Sequence, residues 1–535
     1  MSLRKSVVMH RPFKMAVPVT VPVGRENFAV SETKKHSYGQ ILKSSALIGG
    51  SSILNLGFGI IRTKVLAVLL GPAGLGLFGL YGSIYDLSRT LAGLGINTSG
   101  VRQIAEAVGS GDAQRVSRTV ATLRRVAFVS GTLGALLLVL LCLPVSRFTF
   151  GNYEHAGWVA LLGVAVLFNG ITAGQMALVQ GMRRIADLAK MSVMGAFYGT
   201  LFSIPIIYFF HEKGIVPFML CVTAMSILTS WWYSRKIQVE HVHLTAREVT
   251  DEARMLLRMG IAFMASGLMG MGAAYLIRVL ILRSLGLDAA GCFQSAWVLG
   301  GYYVAFIMQA MGADFFPRLT AVANNNPECN RLVNEQAEVG LLLAGPGVLA
   351  TLTFAPLVIR LFYSSEFWPA AEILRWICLG MVLRVASWPM GFIMLAKGAS
   401  KLYLWSELLT NLLFIGLVWA GLNVFGLTGA GIGFFGMYAA YWFGIYLVVR
   451  RLSGFRWSVA NRRLALVFLP LVVLLFVSRI FLPHLAVITL GVLLTLATGL
   501  YSVKTLCTLV PMERFPGPVR KVILFLKLGP SGSKN

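Results

Sequence analysis

At 535 residues the chain is long enough for several soluble domains, but 57% hydrophobic and only 13% charged residues exclude a water-facing surface over most of its length. A formal net charge of +26 is typical of nucleic-acid-binding proteins. The basic residues lie in alternate loops between apolar stretches rather than in one patch, which argues against a nucleic-acid partner.

Apolar stretches of about 20 residues, the length that crosses a bilayer as a helix, recur from Ser44 almost to the C-terminus. The alternating pattern of an outer-membrane β-barrel is absent. The sequence therefore predicts an all-α integral membrane protein with about 14 transmembrane helices. These spans, numbered 1 to 14, are expected near 44–70, 74–95, 123–143, 157–181, 190–210, 215–234, 260–282, 290–316, 336–358, 372–396, 402–421, 428–449, 464–482 and 485–507.

Lys and Arg are divided unevenly between the two sides that the loops would face. With the N-terminus inside, the cytoplasmic segments together with the adjoining span ends hold 36 of these residues, and the outer loops with theirs hold five. Cytoplasmic loops of membrane proteins carry such an excess, and the number of spans is even, so both termini are expected in the cytoplasm. The outer five are Arg147, Lys213, Arg283, Arg360 and Arg375.

The junction of spans 1 and 2 resembles the junction of spans 7 and 8, about 215 residues later. Six spans separate the two copies, so both halves would cross the membrane in the same direction, related by a pseudo-two-fold axis along the membrane normal. The pattern favours a duplication. The matching residues are Leu70, Gly71, Gly76 and Phe78 in the first copy and Leu285, Gly286, Gly291 and Phe293 in the second.

The predicted organisation is two six-helix lobes around a central cavity, followed by an appended helix pair that has no counterpart in the repeat. The expected boundaries are a basic cytoplasmic tail at 1–43, an N-terminal lobe at 44–235, a cytoplasmic linker at 236–258, a C-terminal lobe at 259–451, spans 13 and 14 at 452–510, and a cytoplasmic tail at 511–535.

The chain has no motif of a soluble active site, so we expect no enzyme activity, no cofactor and no metal site. The informative residues are charges inside the spans, because each costs about 2.5–3.5 kcal/mol at the bilayer centre unless it faces protein or water. Their balance is cationic, which favours an anionic ligand. The basic residues are Arg62, Lys64, Arg89, Arg278, Arg384 and Arg479, and the acidic ones are Asp86, Asp314 and Glu407.

Each of these charges has a simpler alternative explanation. The four basic residues within two turns of a span end could extend to the interface, an explanation that suits Arg479 best. Asp86 and Arg89 are three residues apart and could form a structural ion pair. Asp314 and Glu407 lie near cytoplasmic span ends, where a solvated or helix-capping role is as good an explanation as a functional one. Arg384, near mid-membrane, is the strongest candidate for a cavity residue.

Span 1 carries two basic residues that face in different directions. Small and polar residues recur along one face of it at spacings of three and four. Lys64 follows Arg62 by two residues and so points about 200° away from that stripe. The two cannot both face the cavity centre, and periodicity favours Arg62. The stripe consists of Ser52, Asn55, Gly59 and Arg62.

The stretch LLGPAGLGLFGLYGSIYDLSRTLAGLGINTSGVRQIAEA at 69–107 resembles the signature of the polysaccharide flippases of the O-antigen and enterobacterial common antigen type. These proteins belong to the multidrug/oligosaccharidyl-lipid/polysaccharide exporter superfamily. The residues at 181–184 and the stretch GFIMLAKGASKLYLWSELLTNLL at 391–413 are similar to the same family, and the likeness covers spans 1 to 12.

The resemblance implies a flippase that carries an oligosaccharide on undecaprenyl pyrophosphate from the cytoplasmic to the periplasmic leaflet by alternating access. It also implies that Lys64, Arg278 and Glu407 match functional positions of the family, so both Arg62 and Lys64 remain candidates in span 1. The shorter members end after twelve spans, whereas lipid II flippases of the superfamily carry fourteen, which leaves a lipid II flippase as the nearest alternative. A drug or cation antiporter would place carboxylates near its cavity, and a glycosyltransferase would need a large outer loop.

The candidate residues are therefore a cationic set for the substrate and two carboxylates for ion coupling. The expected partners are the lipid-linked oligosaccharide and membrane lipid, with a polysaccharide polymerase and a chain-length regulator as candidate protein partners. The substrate-binding candidates are Arg62, Lys64, Arg89, Arg278 and Arg384, and the ion-coupling candidates are Asp86 and Glu407.

Overall fold

The computed structural model describes residues 26–237 and 246–509, which form fifteen α-helices. Spans 1 and 2 lie in α1, span 3 in α3, spans 4 to 12 in α5 to α13, and spans 13 and 14 in α14 and α15. The helices are α1 Glu26–Gly93, α2 Ile96–Gly109, α3 Ala113–Leu140, α4 Cys142–Phe150, α5 Ala156–Gly181, α6 Ile185–Phe210, α7 Ile215–Ser234, α8 Ala246–Leu285, α9 Leu287–Ala321, α10 Asn326–Phe362, α11 Ala370–Ala396, α12 Ser400–Phe425, α13 Thr428–Ser453, α14 Val459–Phe481 and α15 His484–Leu509.

Eleven apolar helical stretches among the described residues are long enough to cross a bilayer. Two of them, Leu47–Gly109 and Ile185–Ser234, are 63 and 50 residues long. Each contains a break, at Gly71 and at the short 3₁₀ helix His211–Gly214, and so supplies two crossings. Helix α9, which has 35 residues, covers the predicted span 8. Together these helices confirm the predicted all-α membrane architecture of about fourteen spans.

Several helices begin earlier than their predicted spans. The structure starts α3 at Ala113, α8 at Ala246 and α10 at Asn326, each ten or more residues before the apolar stretch begins. The first turns of these helices carry charged residues. Charged residues lower the hydropathy and so end a predicted span, but they do not prevent a helix from forming. The segment predicted as a polar link at 236–258 is therefore helical from Ala246, while 238–245 lie outside the described residues.

The N-terminal tail differs in the same way, because α1 is helical from Glu26 rather than from Ser44. Residues 1–25 and the predicted tail at 511–535 lie outside the described residues. Two short helices, α2 and α4, were not predicted. The first is amphipathic and buries Ile96 and Ile104 against its neighbours, so it follows the helical period without being apolar enough to span.

Two glycines reverse the chain at equivalent places in the repeat. Gly71 in α1 has φ 64° and ψ −165°, and Gly286 between α8 and α9 has φ 88° and ψ −178°. This backbone conformation strains any residue with a Cβ, which explains a glycine at both positions. Both turns lie at one end of the bundle, called here the Gly71 end.

The two copies of the repeat meet through two close contacts. Replacing each residue of one contact by its counterpart 215 positions away gives the other contact. A Cβ on Gly76 would lie 2.5 Å from the carbonyl oxygen of Leu287, and a Cβ on Gly291 would lie 1.8 Å from that of Pro72. Small residues allow such close approach of membrane helices. The reciprocal pairing is what a two-fold axis between α1 and α9 requires. It joins an N-terminal lobe, α1 to α7, to a C-terminal lobe, α8 to α13.

Two basic side chains also join the lobes at the Gly71 end. Lys64 in α1 donates to carbonyls at the C-terminus of α10, those of Arg360, Leu361 at 2.9 Å, and Tyr363. Arg283 in α8 donates to the last carbonyls of α4, in residues 147–149, at 2.7–3.3 Å. Terminal carbonyls of a helix lack intrahelical partners and carry partial negative charge, so both contacts satisfy groups that would otherwise be exposed.

The appended pair α14 and α15 packs on the C-terminal lobe, chiefly on α10. At the Gly71 end, Arg479 of α14 forms a bidentate ion pair with Glu372 of α11. At the opposite end, Asn461 donates to the backbone and side chain of Asn334 in α10 at 2.8 and 3.0 Å. Polar contacts therefore hold α14 to this lobe at both ends.

Candidate functional site

A cavity of about 800 Å³ lies where the two lobes meet. Residues from α1 and α5 to α9 form its wall, and most of its polar groups are hydroxyls. We call it the arginine cavity, after its two guanidinium groups. Its charged and amide side chains are Arg62, Asp86, Asn169, Arg278 and Gln294, and its hydroxyl side chains include Thr63, Ser83, Thr172, Ser192, Thr223, Ser226, Thr229, Ser230 and Tyr302.

Arg62 lines this cavity together with Gly59, so part of the polar stripe on span 1 faces it. Asn55, one turn earlier, donates to Ser192 of α6 at 2.6 Å and holds the helix against its neighbour. The Arg62 guanidinium lies close to the phenol of Tyr302. It makes no ion pair within the described part of the chain, so its charge remains available to a ligand.

Arg278 is almost fully buried, with 8% of its surface exposed. Its Nε donates to Gln294 Oε1 at 2.8 Å and its Nη1 to the carbonyl oxygen of Ala274 at 2.9 Å. The guanidinium lies 5.9 Å from the ring centroid of Trp297. Its Nη2 bonds to none of the described residues. A buried, oriented arginine with an unused donor pair is suited to an anion.

Asp86 and Arg89 form the ion pair that their spacing allowed, with Arg89 Nε 2.7 Å from Asp86 Oδ1. Asp86 lines the arginine cavity, whereas Arg89 lies behind it against the ring of Tyr85. Asp86 is thus paired with Arg89 and also interacts electrostatically with Arg278. Neither Arg62 nor Arg278 has an ion pair within 4 Å among the described residues. The cavity carries a net positive charge among its described residues.

Arg384 and Glu407 lie together in a second cavity of about 410 Å³ within the C-terminal lobe. Arg384 lies 5.9 Å from the ring centroid of Tyr438 and is close enough to Glu407 to interact electrostatically. Aromatic rings from α9, α11, α12 and α13 form much of the wall, so we call this the aromatic cavity. The rings are those of Trp297, Trp388, Phe392, Tyr403, Phe414, Phe434, Tyr438 and Tyr441.

Lys64 and Arg479 lie away from both cavities. Lys64 is bound to the α10 carbonyls described above and lines neither one, so of the two basic residues in span 1 only Arg62 faces the arginine cavity. Arg479 does not extend alone to the interface as expected but pairs with Glu372, which also contacts Arg375 at 3.1 Å. The side chain of Asp314 lies outside the described residues.

Apart from Gly59, sequence reasoning missed the uncharged residues of both cavities. One signal was available, because Thr223, Ser226 and Ser230 on α7 recur at spacings of three and four and form a polar face on an apolar helix. No comparable signal marks Gln294 or Trp297. Their roles depend on packing against Arg278, sixteen or more residues earlier in the chain.

Two helical lobes that enclose a cavity define a class of multi-pass membrane proteins, and solved structures of that class superpose on this chain. A lipid II flippase, MurJ, in an inward closed conformation gives a TM-score of 0.64 at 13% identity, covering 87% of this chain and 99% of its own. A multidrug resistance MATE family transporter in an inward-facing conformation gives 0.63 at 17% identity, covering 76% and 94%. The fold is that of the multidrug/oligosaccharidyl-lipid/polysaccharide exporter superfamily.

Within that class, the family described as polysaccharide biosynthesis protein matches residues 65–372, more than half of the chain. The protein belongs to this family, which confirms the resemblance read from residues 69–107. The lipid III flippase of Escherichia coli (strain K12) is 24% identical over 370 residues, covering 69% of this chain and 88% of its own length. The lipid III flippase of Shigella flexneri matches to the same extent.

Proposed function

We propose that this protein is a flippase that moves an undecaprenyl-pyrophosphate-linked oligosaccharide repeat unit across the membrane by alternating access of its two lobes. The observation that carries the proposal is the net positive cavity between the lobes, with Arg62 and Arg278 facing one enclosed space. The family membership and the lipid III flippase relatives support the same substrate class. On this proposal the protein is a transporter and not an enzyme.

The chemistry of the substrate matches this cavity. A pyrophosphate carries two or more negative charges, and a sugar chain is strongly hydrated, so neither can cross an apolar core of about 30 Å unaided. Arginines in a water-filled cavity offset the lost hydration by pairing with phosphate oxygens, and a guanidinium binds two of them at once. The prenyl chain stays in the lipid between the lobes while the head group passes through.

The orientation follows from the basic loops. The 36 Lys and Arg of the inner segments support a cytoplasmic position for the end opposite Gly71, and the Gly71 end would then face the periplasm. The proposed location is the bacterial inner membrane, with both termini cytoplasmic. The Lys64 and Arg283 contacts therefore close the periplasmic side of the conformation described here.

Asp86 and Glu407 are the proposed coupling candidates, because each is a carboxylate that lines a cavity within the membrane, and one of the two would take up the proton. The exported repeat unit is proposed to become part of O-antigen or of a related lipopolysaccharide component. A polysaccharide polymerase and a chain-length regulator are the proposed partners, since a repeat unit delivered to the periplasm must be polymerised there.

A lipid II flippase is the second candidate, favoured by the fourteen spans and the fold similarity to MurJ. The two arginines of the cavity disfavour a cationic drug as substrate. The test that separates the first two is chemical. When the protein is depleted, mass spectrometry of the accumulated undecaprenyl pyrophosphate lipid should detect an oligosaccharide repeat unit, and accumulation of peptide-bearing lipid II would instead favour the second candidate.

The site itself is tested by charge removal. Arg278→Gln removes a charge-assisted contact worth roughly 1.5–3 kcal/mol, so substrate affinity should fall about ten- to hundredfold and export of glycan should fail. Arg278→Lys should retain partial export, because lysine keeps the positive charge but cannot bind two phosphate oxygens at once as a guanidinium does. The measurement is surface glycan at matched protein level in the membrane.

Arg450→Gln is the matched control, since Arg450 is exposed near the end of α13 and lines neither cavity. It should export normally. Normal export by Arg278→Gln and Arg62→Gln alike would contradict a cationic substrate site between the lobes.

A further inference from the structure

The aromatic cavity adjoins the arginine cavity, because three residues contribute to the walls of both. Gly270 and Ala274 of α8 and Trp297 of α9 line each of them. A head group held in the arginine cavity therefore lies next to the aromatic cavity. At about 410 Å³, the second space falls within the range of small-molecule binding sites.

The two cavities differ in charge. The arginine cavity holds Arg62 and Arg278 in addition to the paired Asp86 and is net positive. The described charges of the aromatic cavity are one Arg384 and one Glu407, which offset each other. An anion is accordingly favoured in the first cavity, and an uncharged, polar group is better suited to the second.

The lining of the aromatic cavity is built from matching helical faces. On α11, α12 and α13 the lining residues recur at spacings of three and four, so each helix presents one continuous face to the space. These faces combine rings with hydrogen-bonding groups. They carry Arg384, Ser387, Trp388 and Gly391 on α11, Tyr403, Glu407, Thr410 and Asn411 on α12, and Phe434, Tyr438 and Tyr441 on α13.

Rings and polar groups in this mixture fit carbohydrate chemistry. A sugar ring has an apolar C–H surface that packs against an aromatic face, and a rim of hydroxyls that bond to amide, hydroxyl and carboxylate groups. The rings here are held at angles to one another: Trp388 and Phe392 have centroids 4.9 Å apart, and Tyr438 and Tyr441 6.3 Å apart, both edge to face. Gly391 leaves room for the Tyr441 phenol, whose oxygen would lie 3.4 Å from a Cβ at that position.

We propose that the aromatic cavity binds sugar residues of the substrate while the arginine cavity holds its pyrophosphate. This assignment rests on the proposed function and adds a division of labour between the lobes. Arg384 then belongs to the sugar subsite, where the charge of Glu407 offsets its own, rather than to the pyrophosphate site.

The prenyl chain is a poor occupant of the same space. An apolar chain there would remove water from Arg384, Glu407 and Asn411 without replacing its hydrogen bonds, which is costly for any buried polar group and most of all for charges. A sugar supplies several hydroxyls that replace that water.

The test compares two probes on the purified full-length protein in lipid nanodiscs. One is undecaprenyl pyrophosphate, and the other is the lipid-linked oligosaccharide that accumulates when the protein is depleted in cells. We expect Trp388→Leu and Tyr441→Leu to weaken binding of the glycosylated lipid roughly three- to tenfold, the effect of losing one aromatic contact, and to leave binding of undecaprenyl pyrophosphate unchanged. Trp388→Phe and Tyr441→Phe keep a ring and should retain most of the affinity.

Trp405→Leu is the matched control, because Trp405 lies on α12 but is 69% exposed on its outer surface. It should bind both probes like the wild type. Equal weakening of both probes in the leucine variants, or undiminished binding of the glycosylated lipid, would overturn the sugar assignment. Failure of the wild type to bind either probe, or of Arg278→Gln to weaken undecaprenyl pyrophosphate, would instead overturn the proposed function on which it rests.

Discussion

Among the individual residues, the two cavity carboxylates differ in what surrounds them. Asp86 forms an ion pair with Arg89 at 2.7 Å, whereas Glu407 has no ion pair within 4 Å in the described part of the chain. If proton uptake drives the return step, Glu407 is the better acceptor. Its removal should then uncouple transport from a proton gradient.

We therefore expect Glu407→Gln to abolish the response of flipping to an imposed pH gradient in proteoliposomes, with basal flipping measured in parallel. Asp86→Asn should keep that response, because Asp86 already has an arginine partner. A response that persists in both variants would remove both carboxylates from the coupling step.

Periodicity within one helix could be read from the sequence, and contacts between helices could not. The stripe on span 1 favoured Arg62 over Lys64 from angles alone, and only Arg62 faces the arginine cavity. Periodicity could not predict the ion pair of Arg479, because its partner Glu372 lies 107 residues away on another helix. An isolated arginine near a span end has the same local pattern whether it extends to water or meets a carboxylate.

For the helices, the most demanding contact is the one between α1 and α9. Gly291→Ala would bring a methyl group 1.8 Å from the carbonyl oxygen of Pro72, backbone that cannot rotate away. We expect the two helices to be forced apart at a cost of roughly 1–3 kcal/mol, seen as a lower unfolding temperature of the purified protein in detergent.

The matched change is Gly301→Ala on the same helix, where an added Cβ has no atom within 4 Å. That variant should unfold at or slightly above the wild-type temperature, because alanine favours a helix over glycine. Equal unfolding temperatures for both variants would contradict the close approach of α1 and α9.

The existence of the spanning helices followed directly from hydropathy, but helix ends and the short helices α2 and α4 did not. The spans were correct in number because each needs about 20 apolar residues, a signal that packing cannot erase. The extra turns at Ala113, Ala246 and Asn326 and the amphipathic α2 lie where charged residues alternate with apolar ones. Such segments are stabilised by the neighbours they meet, which one-dimensional hydropathy does not describe.

At the level of the whole molecule, the Lys64 and Arg283 contacts occupy similar places in the two lobes without being exact equivalents, because the 215-residue offset maps Arg283 to residue 68, one helical turn from Lys64. Lys64, on the first helix of one lobe, binds carbonyls at the end of the third helix of the other, and Arg283 binds carbonyls of α4, which follows the third helix of the N-terminal lobe. Opening the Gly71 end must break both. They therefore stabilise the conformation that is closed on this side, and their removal should shift the equilibrium toward the one that is open there.

In a background without the six native cysteines, Val298→Cys places a thiol in the wall of the arginine cavity. Replacing Lys64 and Arg283 by Gln together should speed its labelling by a membrane-impermeant maleimide from the periplasmic side about tenfold or more, from the loss of two charge-assisted contacts. Lys213→Gln, an exposed basic residue at the same end, should not change the rate. Faster labelling only from the cytoplasmic side would reverse the proposed orientation.

Gly79 and Gln294 occupy equivalent positions in the two copies, and a Cβ on Gly79 would lie 3.0 Å from the Gln294 side chain. An axis of symmetry cannot accommodate two large side chains at the point through which it passes. A long side chain at this position in one copy therefore requires a small residue at the equivalent position of the other. Gln294, which orients Arg278, meets this condition because its counterpart is Gly79, and the counterpart of Arg278 is Thr63. The lining of the arginine cavity therefore departs from the two-fold symmetry of the helices that form it.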